Sequence, residues 1–186
     1  MRLYFIRHGQ SINNALWDET GSSRGRSVDP ELTPTGHEQA RLLANFILEA
    51  DTRARQDGQG THPRRDFFGF THLYSSLMVR AVETGMHLSE ALGLPLTAWP
   101  EIHETGGIFE EGETVGEVTG LPGKPRSFFE KHYPGLILPE SVTEAGWWNR
   151  PFEVDEMRPL RAKQVVEMLI ERHGHTDDRV AIISHG

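Results

Sequence analysis

Two short apolar runs, one near the start of the chain and one near its end, each lead to a histidine. Leu3–Ile6 leads to His8, and Val180–Ile183 leads to His185. Runs rich in β-branched and aromatic residues are typical of buried strands in a parallel sheet. Ligands of open α/β sheets bind beyond the carboxyl ends of the strands. The two histidines are therefore expected to meet over one ligand, although they lie at opposite ends of the sequence.

Helical patterns and further strands alternate between these two runs. Thr33-Pro34 is a helix start, with a hydroxyl N-cap before a proline, and Gly93 is a helix stop. Helices are predicted at about 11–17, 33–50, 78–92 and 157–173, and further strands at 71–75 and 96–99. This alternation predicts one α/β domain over residues 1–186, with three layers and a mostly parallel sheet flanked by helices.

Three segments lack a clear period. Residues 18–30 are polar and glycine-rich, and they are predicted to form a loop. Residues 51–66 are charged and poor in apolar residues, so they are predicted to be a mobile insertion. Residues 105–155 contain many glycines and prolines, and they are predicted to form an irregular, lid-like excursion over the carboxyl ends of the strands. A short helix is expected within it, near residues 127–132.

Composition limits the classes of partner. The net charge of −8 argues against general binding to nucleic acid or to an anionic membrane, and no apolar stretch is long enough to cross a bilayer. Met1 leads almost directly into the first strand, so no signal peptide is expected. The chain contains no cysteine, which excludes disulfides and thiolate chemistry and fits a cytoplasmic location. The oligomeric state is left open.

Five ordered segments carry a resemblance to a known family. They are Arg7-His8-Gly9-Gln10-Ser11-x-x-Asn14, Asp29-x-x-Leu32-Thr33-x-x-Gly36, Ser75-Ser76-x-x-x-Arg80-Ala81-x-x-Thr84, His103-Glu104-Thr105-Gly106 and Ser184-His185-Gly186. With this set, the chain resembles the histidine phosphatase superfamily, which includes cofactor-dependent phosphoglycerate mutases and fructose-2,6-bisphosphatases. One tripeptide would be weak support, whereas the ordered set spans nearly the whole chain.

The resemblance implies a role for each matched residue. His8 would be the nucleophile that forms a phosphohistidine, and Arg7 and Arg80 would bind the phosphoryl oxygens. His185, in its protonated form, would add positive charge to the same oxygens. Asn14 would either donate a further hydrogen bond or act only as a helix cap. Phosphoryl transfer needs mainly alignment and charge neutralisation, so this set is chemically sufficient without a metal or another cofactor.

The resemblance also implies an acid that protonates the leaving alkoxide. Glu104 fits by its spacing from Arg80, and Glu101 is the alternative. A carboxyl group held beside a phosphate anion keeps its proton more readily, as an acid catalyst near neutral pH requires. The same group would then take a proton from the water that hydrolyses the phosphoenzyme.

The remaining histidines and the aromatic side chains of the excursion are further candidates for binding a ligand. The remaining histidines show no convergent metal spacing, and His173-x-His175 is too little to indicate zinc, so no metal site is predicted. The aromatic residues of the excursion either line a pocket for an apolar leaving group or only pack it onto the body: Phe128, Phe129, Tyr133, Trp147, Trp148 and Phe152.

The segment after Glu104 departs from the mutase pattern. Residues 105–112 are acidic and lack the tyrosine and basic residues with which mutases hold phosphoglycerate. The expected function is therefore metal-independent hydrolysis of small-molecule phosphate esters. The alternatives are a 2,3-bisphosphoglycerate-dependent phosphoglycerate mutase and a non-catalytic phosphate-binding module. Family members continue beyond the second histidine, so the sheet edge and one face of the last strand are expected to be bare unless a longer chain or a partner covers them.

Overall fold

A parallel sheet forms the centre of the molecule. The computed structural model describes residues 1–56, 67–112, 114 and 116–186. In this part of the chain the sheet has five strands in the order β1-β7-β2-β3-β6, and every neighbouring pair is parallel. A separate antiparallel hairpin is formed by β4 and β5. The strands are β1 (Arg2–Arg7), β2 (His72–Ser75), β3 (Leu96–Ala98), β4 (Phe109–Glu111), β5 (Val118–Gly120), β6 (Leu136–Ile137) and β7 (Arg179–Ser184).

Helices cover both faces of this sheet. Alternate residues of β7 point to opposite faces, and the four residues from Val180 to Ile183 are fully buried. Ala181 and Ile183 belong to one core cluster, and Val180 and Ile182 belong to the other. The first cluster includes residues of α2 and α3, and the second includes residues of α5. The helices are α1 (Ile12–Thr20), α2 (Pro34–Gln56), α3 (Val79–Leu92), α4 (Arg126–His132) and α5 (Arg158–His173), with 3-10 turns at Pro100–Ile102 and Asp155–Met157.

The predicted three-layer α/β architecture is confirmed by this arrangement. Burial of each large aliphatic side chain stabilises the fold by about 1.5–3 kcal/mol, which is why the apolar run of β7 becomes a central strand. The run of β1, also expected to be a buried strand, lies at the edge of the sheet and is largely exposed. Among the described residues, none of the helices combines the length and the apolar character that crossing a membrane requires.

The end of α2 differs from the prediction. The helix continues to Gln56 instead of ending near residue 50, so residues 51–56 are helical and do not belong to an insertion. Asp51 explains the extension, because its buried carboxylate accepts hydrogen bonds from the backbone N–H groups of Phe68 at 2.7 Å and Gly69 at 2.9 Å. These bonds tie the helix to the chain that enters β2. The rest of the predicted insertion, residues 57–66, lies outside the described residues.

The excursion is more ordered than the sequence indicated. The short helix near residues 127–132 is confirmed as α4, and the hairpin β4–β5 precedes it. After α4 the chain adds a fifth strand to the main sheet, where Leu136 and Ile137 pair with Leu96 and Thr97 of β3. A strand of two residues is too short to show a period of two, so the sequence pattern did not reveal it.

The bare edge of the sheet is β1, not the last strand. β7 lies between β1 and β2 and is buried on both faces, so the expectation that one of its faces is bare is wrong. On β1, Phe5 is 67% exposed and Leu3 is 37% exposed. Residues of α2 and α3 cover one face of β7 and residues of α5 cover the other, which accounts for the difference.

Candidate active site

The two histidines that follow β1 and β7 meet at the carboxyl ends of the strands. Their ring centroids are 5.2 Å apart, and the backbone N–H of His8 donates to the carbonyl of Ser184 at 3.0 Å. Because β1 and β7 are parallel neighbours, the residues that follow their carboxyl ends lie at the same end of the sheet. The convergence of His8 and His185 predicted from the sequence is therefore what the fold produces.

His8 is held with its Nε2 lone pair directed into the site. Its Nδ1 lies 2.6 Å from the carbonyl oxygen of Gly9, which assigns the proton to Nδ1. Nε2 accepts a hydrogen bond from Arg80 Nε at 3.0 Å. Burial, and then the charge of Arg80, lower the pKa of His8 to about 4. The ring is thus neutral at pH 7, as a nitrogen nucleophile must be.

Arg80 supplies a buried cation beside this nitrogen. It is 8% exposed in the first turn of α3, and burial lowers its pKa. Asp29 accepts a hydrogen bond from the N–H of Val79 at 3.0 Å and fixes the start of that helix. Thr84 donates to the Arg80 carbonyl at 2.8 Å and accepts from Gly9 N–H at 3.1 Å, which ties α3 to the turn that carries His8. A cation at a helix N-terminus is unfavourable for the helix itself but suited to an anion.

His185 is buried between a hydroxyl group and a carboxylate. Its Nε2 lies 3.0 Å from Ser76 Oγ, and its Nδ1 lies 3.7 Å from Glu104 Oε2. Burial and then the charge of Arg80 lower the pKa of His185 strongly. With the protein's own charges around it, the ring is therefore neutral, and the sequence-based expectation of a protonated His185 does not hold in this environment. The motif gave the residue, but its charge depends on how deeply the fold buries it.

Glu104 is the carboxylate that the fold places in the site. Its Oε2 lies 3.7 Å from Arg80 Nη2 and equally far from the His185 ring, and its side chain is 34% exposed. Glu101 instead contributes its backbone carbonyl, which accepts from Arg161 Nη1 at 2.9 Å. Of the two carboxylates that the sequence left open, the geometry brings Glu104 to the histidine pair.

A polar network that the sequence did not reveal holds the Glu104 loop. Arg161 of α5 binds both carboxylate oxygens of Glu153, at 2.6 and 2.8 Å. The N–H of Glu153 donates to the Gly106 carbonyl at 3.1 Å, and His103 Nδ1 contacts the Glu104 carbonyl at 2.7 Å. Glu153 and Arg161 belong to none of the five matched segments, so the motifs did not indicate that these two residues hold the loop.

Arg7 and Asn14 lie at the margin of the site. Arg7 is exposed at the end of β1, with its side chain against Gly186, and its charge contributes to lowering the pKa of His8 and His185. Asn14 caps α1, because its Oδ1 accepts from Ser11 N–H at 3.0 Å and from Ser11 Oγ at 2.9 Å. The cap uses Oδ1 of Asn14, and a hydrogen bond from its side-chain N–H groups to a phosphoryl oxygen stays a prediction.

Most aromatic residues of the excursion pack the core. Trp147, Trp148 and Phe129 are at most 4% exposed and belong to the main core cluster. Phe152 is different, because it lines a cavity of about 650 Å³ between residues 118–122 and 149–154. It packs edge-on against Phe109 at 4.8 Å, beside the loop that follows Glu104. The packing interpretation therefore holds for the tryptophans, and a cavity-lining role is left for Phe152.

A second group of polar side chains meets at the opposite end of the sheet. His72, His173 and Asp178 each offer an atom that lies within 4.8 Å of the others. The prediction of no metal site rested on spacing along the chain, whereas these three residues come from different elements. Folding places together donors whose separation in the sequence shows no pattern.

Comparison with known proteins agrees with the site. The chain is 34% identical over 171 residues to "Putative phosphoserine phosphatase 2" of Hydrogenobacter thermophilus, and the aligned residues cover 92% of this chain and 62% of that protein. It is 27% identical over 148 residues to "Probable phosphoglycerate mutase GpmB" of Yersinia pestis, which is 78% of this chain and 58% of that protein. The chain thus spans about three-fifths of the length of these relatives.

Two solved structures share the fold at low identity. The alignment with the ecdysone phosphate phosphatase of Bombyx mori, in complex with tungstate, covers the whole of this chain and 73% of the phosphatase chain, with a TM-score of 0.61 and 17% identity. A phosphoglycerate mutase from Bacillus anthracis matches 99% of the chain and 74% of its own, with a TM-score of 0.54 and 19% identity. The family model of the histidine phosphatase superfamily (branch 1) matches residues 3–186, from β1 through the second histidine. Because this family model covers nearly the whole chain, including both histidines and Arg80, the chain belongs to the histidine phosphatase superfamily.

Proposed function

We propose that this chain is a phosphomonoester hydrolase that works through a phosphohistidine at His8. The observation that carries the proposal is the 3.0 Å contact in which neutral His8 Nε2 accepts from Arg80 Nε. A nucleophile toward phosphorus must be unprotonated, while the phosphoryl oxygens around it need cations. A neutral imidazole beside a buried guanidinium meets both requirements.

The first chemical step transfers the phosphoryl group to the protein. On substrate binding the N–H groups of Arg80 turn from His8 Nε2 to the phosphoryl oxygens, which frees the Nε2 lone pair. That pair forms the N–P bond as the ester P–O bond breaks, and the departing oxygen keeps the electron pair of the P–O bond. Glu104 gives this oxygen its proton, so the product leaves as an alcohol. The place of Glu104 supports this role, since its carboxylate lies beside the Arg80 guanidinium and the His185 ring. General acid catalysis of this kind contributes typically 10²–10⁴-fold.

The second step returns the protein to its starting state. Water attacks the phosphohistidine, and the carboxylate of Glu104 takes one proton from it. The N–P bond breaks, its electron pair returns to Nε2 of His8, and inorganic phosphate is released. One carboxyl group thus acts as acid and then as base, and the protons balance over the cycle.

Three side chains are suited to the charge on the phosphoryl oxygens. Arg80 and Arg7 offer planar guanidinium groups, which match two oxygens at once. His185 is neutral among the protein's own charges, but a phosphoryl dianion next to its ring favours protonation because an opposite charge raises a histidine pKa. We propose that His185 takes up its proton on substrate binding, and the protonated form expected from the motif is then reached only in the complex.

Hydrolysis is favoured over transfer between two positions of a sugar acid. Glu110 and Glu111 are exposed on β4, after the Glu104 loop, where mutases would hold a carboxylate with basic residues. Like charges repel, so this segment disfavours phosphoglycerate. The relative named as a phosphoserine phosphatase is also the more similar of the two curated relatives. The substrate is proposed to be a small-molecule phosphate ester, and the cytoplasmic location remains a prediction.

A panel of phosphate esters tests the proposal. Phosphate release is measured in EDTA for the wild type, His8→Ala and, as a matched control, His175→Ala at an exposed histidine. The wild type and the control are expected to release phosphate from the esters and to yield an acid-labile, base-stable phosphoprotein in a rapid quench. His8→Ala is expected to yield neither. Full activity of His8→Ala would refute the mechanism.

Two other outcomes identify the alternative functions. Isomerisation of phosphoglycerate that is faster than phosphate release would identify a mutase. Phosphate binding by calorimetry, with no turnover of any ester by a well-folded sample, would identify a binding module.

A further inference from the structure

His72, His173 and Asp178 form a cluster at the amino ends of the strands, away from the proposed active site. His72 is the first residue of β2, His173 is the last residue of α5, and Asp178 immediately precedes β7. The proposed catalytic residues follow the carboxyl ends of β1 and β7. Since all neighbouring strands of this sheet are parallel, the two groups lie at opposite ends of the strands.

The separations between the donor atoms suit one small transition-metal ion. His173 Nδ1 lies 2.8 Å from Asp178 Oδ2, and His72 Nδ1 lies 3.9 Å from Asp178 Oδ1. All three ligand atoms lie within 4.8 Å of one another. Ligands at about 2.0–2.1 Å from zinc in tetrahedral geometry are about 3.3 Å apart. The observed separations bracket this value, and the side chains of His72 and Asp178 are partly exposed, so small rotations of these two would bring the donors to it.

The surroundings orient the donors toward such an ion. His173 Nε2 lies 3.0 Å from the hydroxyl of Tyr74, which leaves Nδ1 as the nitrogen that faces the cluster. A metal-bound histidine is commonly fixed in this way by a hydrogen bond from its other ring nitrogen. The cluster also lies at the carboxyl end of α5, where the helix dipole favours a cation.

We propose that His72, His173 and Asp178 bind one Zn²⁺ ion, with water at the remaining position. Two imidazoles and one carboxylate are a ligand set typical of zinc, whereas Mg²⁺ and Ca²⁺ prefer oxygen ligands alone. The ion has a way in, since the side chains of His72 and Asp178 are 42% and 24% exposed, while His173 is buried. The bound ion would join the end of α5 to the starts of β2 and β7.

Another histidine pair provides the comparison for this site. His37 Nδ1 lies 3.1 Å from His87 Nε2, and His37 Nε2 lies 4.0 Å from a carboxylate oxygen of Glu83. The nitrogen that faces the carboxylate is therefore not the one that faces the second ring. These three groups do not converge on one point, so this pair is expected to bind zinc more weakly than the cluster.

Zinc titration of the metal-free protein tests the proposal. Competition with a chromophoric chelator is expected to show one tight Zn²⁺ per chain and no comparable binding of Mg²⁺. His72→Asn and, separately, Asp178→Asn are expected to weaken Zn²⁺ binding at least tenfold, while the control His87→Asn leaves it unchanged. Unchanged affinity in His72→Asn, or loss of the tight site in His87→Asn, would overturn the assignment.

A spectroscopic measurement identifies the ligands independently of activity. X-ray absorption of the zinc-loaded wild type is expected to show imidazole scattering from two rings together with oxygen ligands. A spectrum without imidazole scattering would contradict the site. His72→Asn is expected to keep the phosphatase activity of the wild type, so loss of the zinc site and failure of the proposed function are distinguishable.

Discussion

Arg80→Met is expected to remove most of the activity at a moderate cost in stability. Arg80 is 8% exposed and donates from Nε to His8 Nε2 at 3.0 Å. Burial lowers its pKa, so the folded protein holds a cation that water would solvate better. Methionine has a similar length and no charge, so the substitution removes the donors without opening a large cavity.

The magnitude follows from the number of hydrogen bonds lost. A guanidinium fork donates two charge-assisted hydrogen bonds to phosphoryl oxygens, each worth about 1.5–3 kcal/mol. Their loss raises the barrier by about 3–6 kcal/mol, which corresponds to a fall of about 10²–10⁴-fold in kcat/KM. Arg80 is paired, because Glu104 lies 3.7 Å from it and the charge of Asp29 favours its ionised form. Removing one member of a buried ion pair costs about 3–5 kcal/mol, and removing the buried charge itself offsets part of that cost, so the free energy of unfolding is expected to fall by about 1–3 kcal/mol.

Turnover of an aryl phosphate and urea unfolding measure the two quantities in the same samples. Arg7→Met is the comparator, since Arg7 is exposed and its charge is screened by solvent. Its kcat/KM is expected to fall less than that of Arg80→Met. The reasoning would be refuted by an Arg80→Met protein within tenfold of the wild type, or by a larger loss in Arg7→Met. An unfolded Arg80→Met protein would equally refute the stability argument.

Three further predictions follow from particular contacts. Glu104→Gln is expected to lower kcat/KM, which reports the first step, by about 10²–10⁴-fold for an alkyl phosphate but much less for p-nitrophenyl phosphate, whose leaving group needs no proton. Equal losses of kcat/KM for both esters would exclude Glu104 as the acid. The pKa of His8 is lowered to about 4 from 6.5, so its contribution to stability is present above pH 6.5 and is lost as the pH falls toward 4. Between pH 7 and pH 4 the free energy of unfolding of His8→Asn, measured in urea, should therefore fall by about 3 kcal/mol less than that of the wild type. An identical pH dependence of the two proteins would contradict the lowered pKa. Gly36→Ala places a methyl group against the backbone carbonyl of Gln10 and is expected to lower the melting temperature more than Gly93→Ala, which meets open space and costs about 1–2 kcal/mol through its positive φ of 65° alone. Thermal melts of the two variants compare them, and the reverse order would show that the turn after His8 can move away from α2.

The fold followed closely from the sequence, because local patterns carried it. The apolar runs at the two ends became adjacent parallel strands, although only β7 is central and β1 lies at the edge of the sheet, and Gly93 ends α3 in the left-handed conformation expected of a helix stop. The pattern failed where a tertiary contact decided the structure. Residues 51–56 are charged, yet they stay helical because Asp51 binds the backbone of a distant segment. The strand β6 exists only because β3 offers it a partner.

The residues of the site were also accessible from the sequence, since a motif records which side chains are present. His8, Arg80, Glu104 and His185 come together as the motifs indicated, and these four carry the proposed chemistry. Their protonation was not accessible in the same way. The pKa of a histidine depends on how much water the surrounding elements exclude and on which charges they bring near, and both come from segments distant in the chain.

The sequence by itself thus determined the α/β architecture, the histidine pair and the arginine between them. Only the tertiary structure decided that both rings are neutral among the protein's own charges, that Glu104 rather than Glu101 faces them, and that Asn14 caps a helix. It also brought His72, His173 and Asp178 together from three elements. Sequence patterns reflect contacts between near neighbours, whereas burial, charge and convergence depend on packing between segments that are far apart.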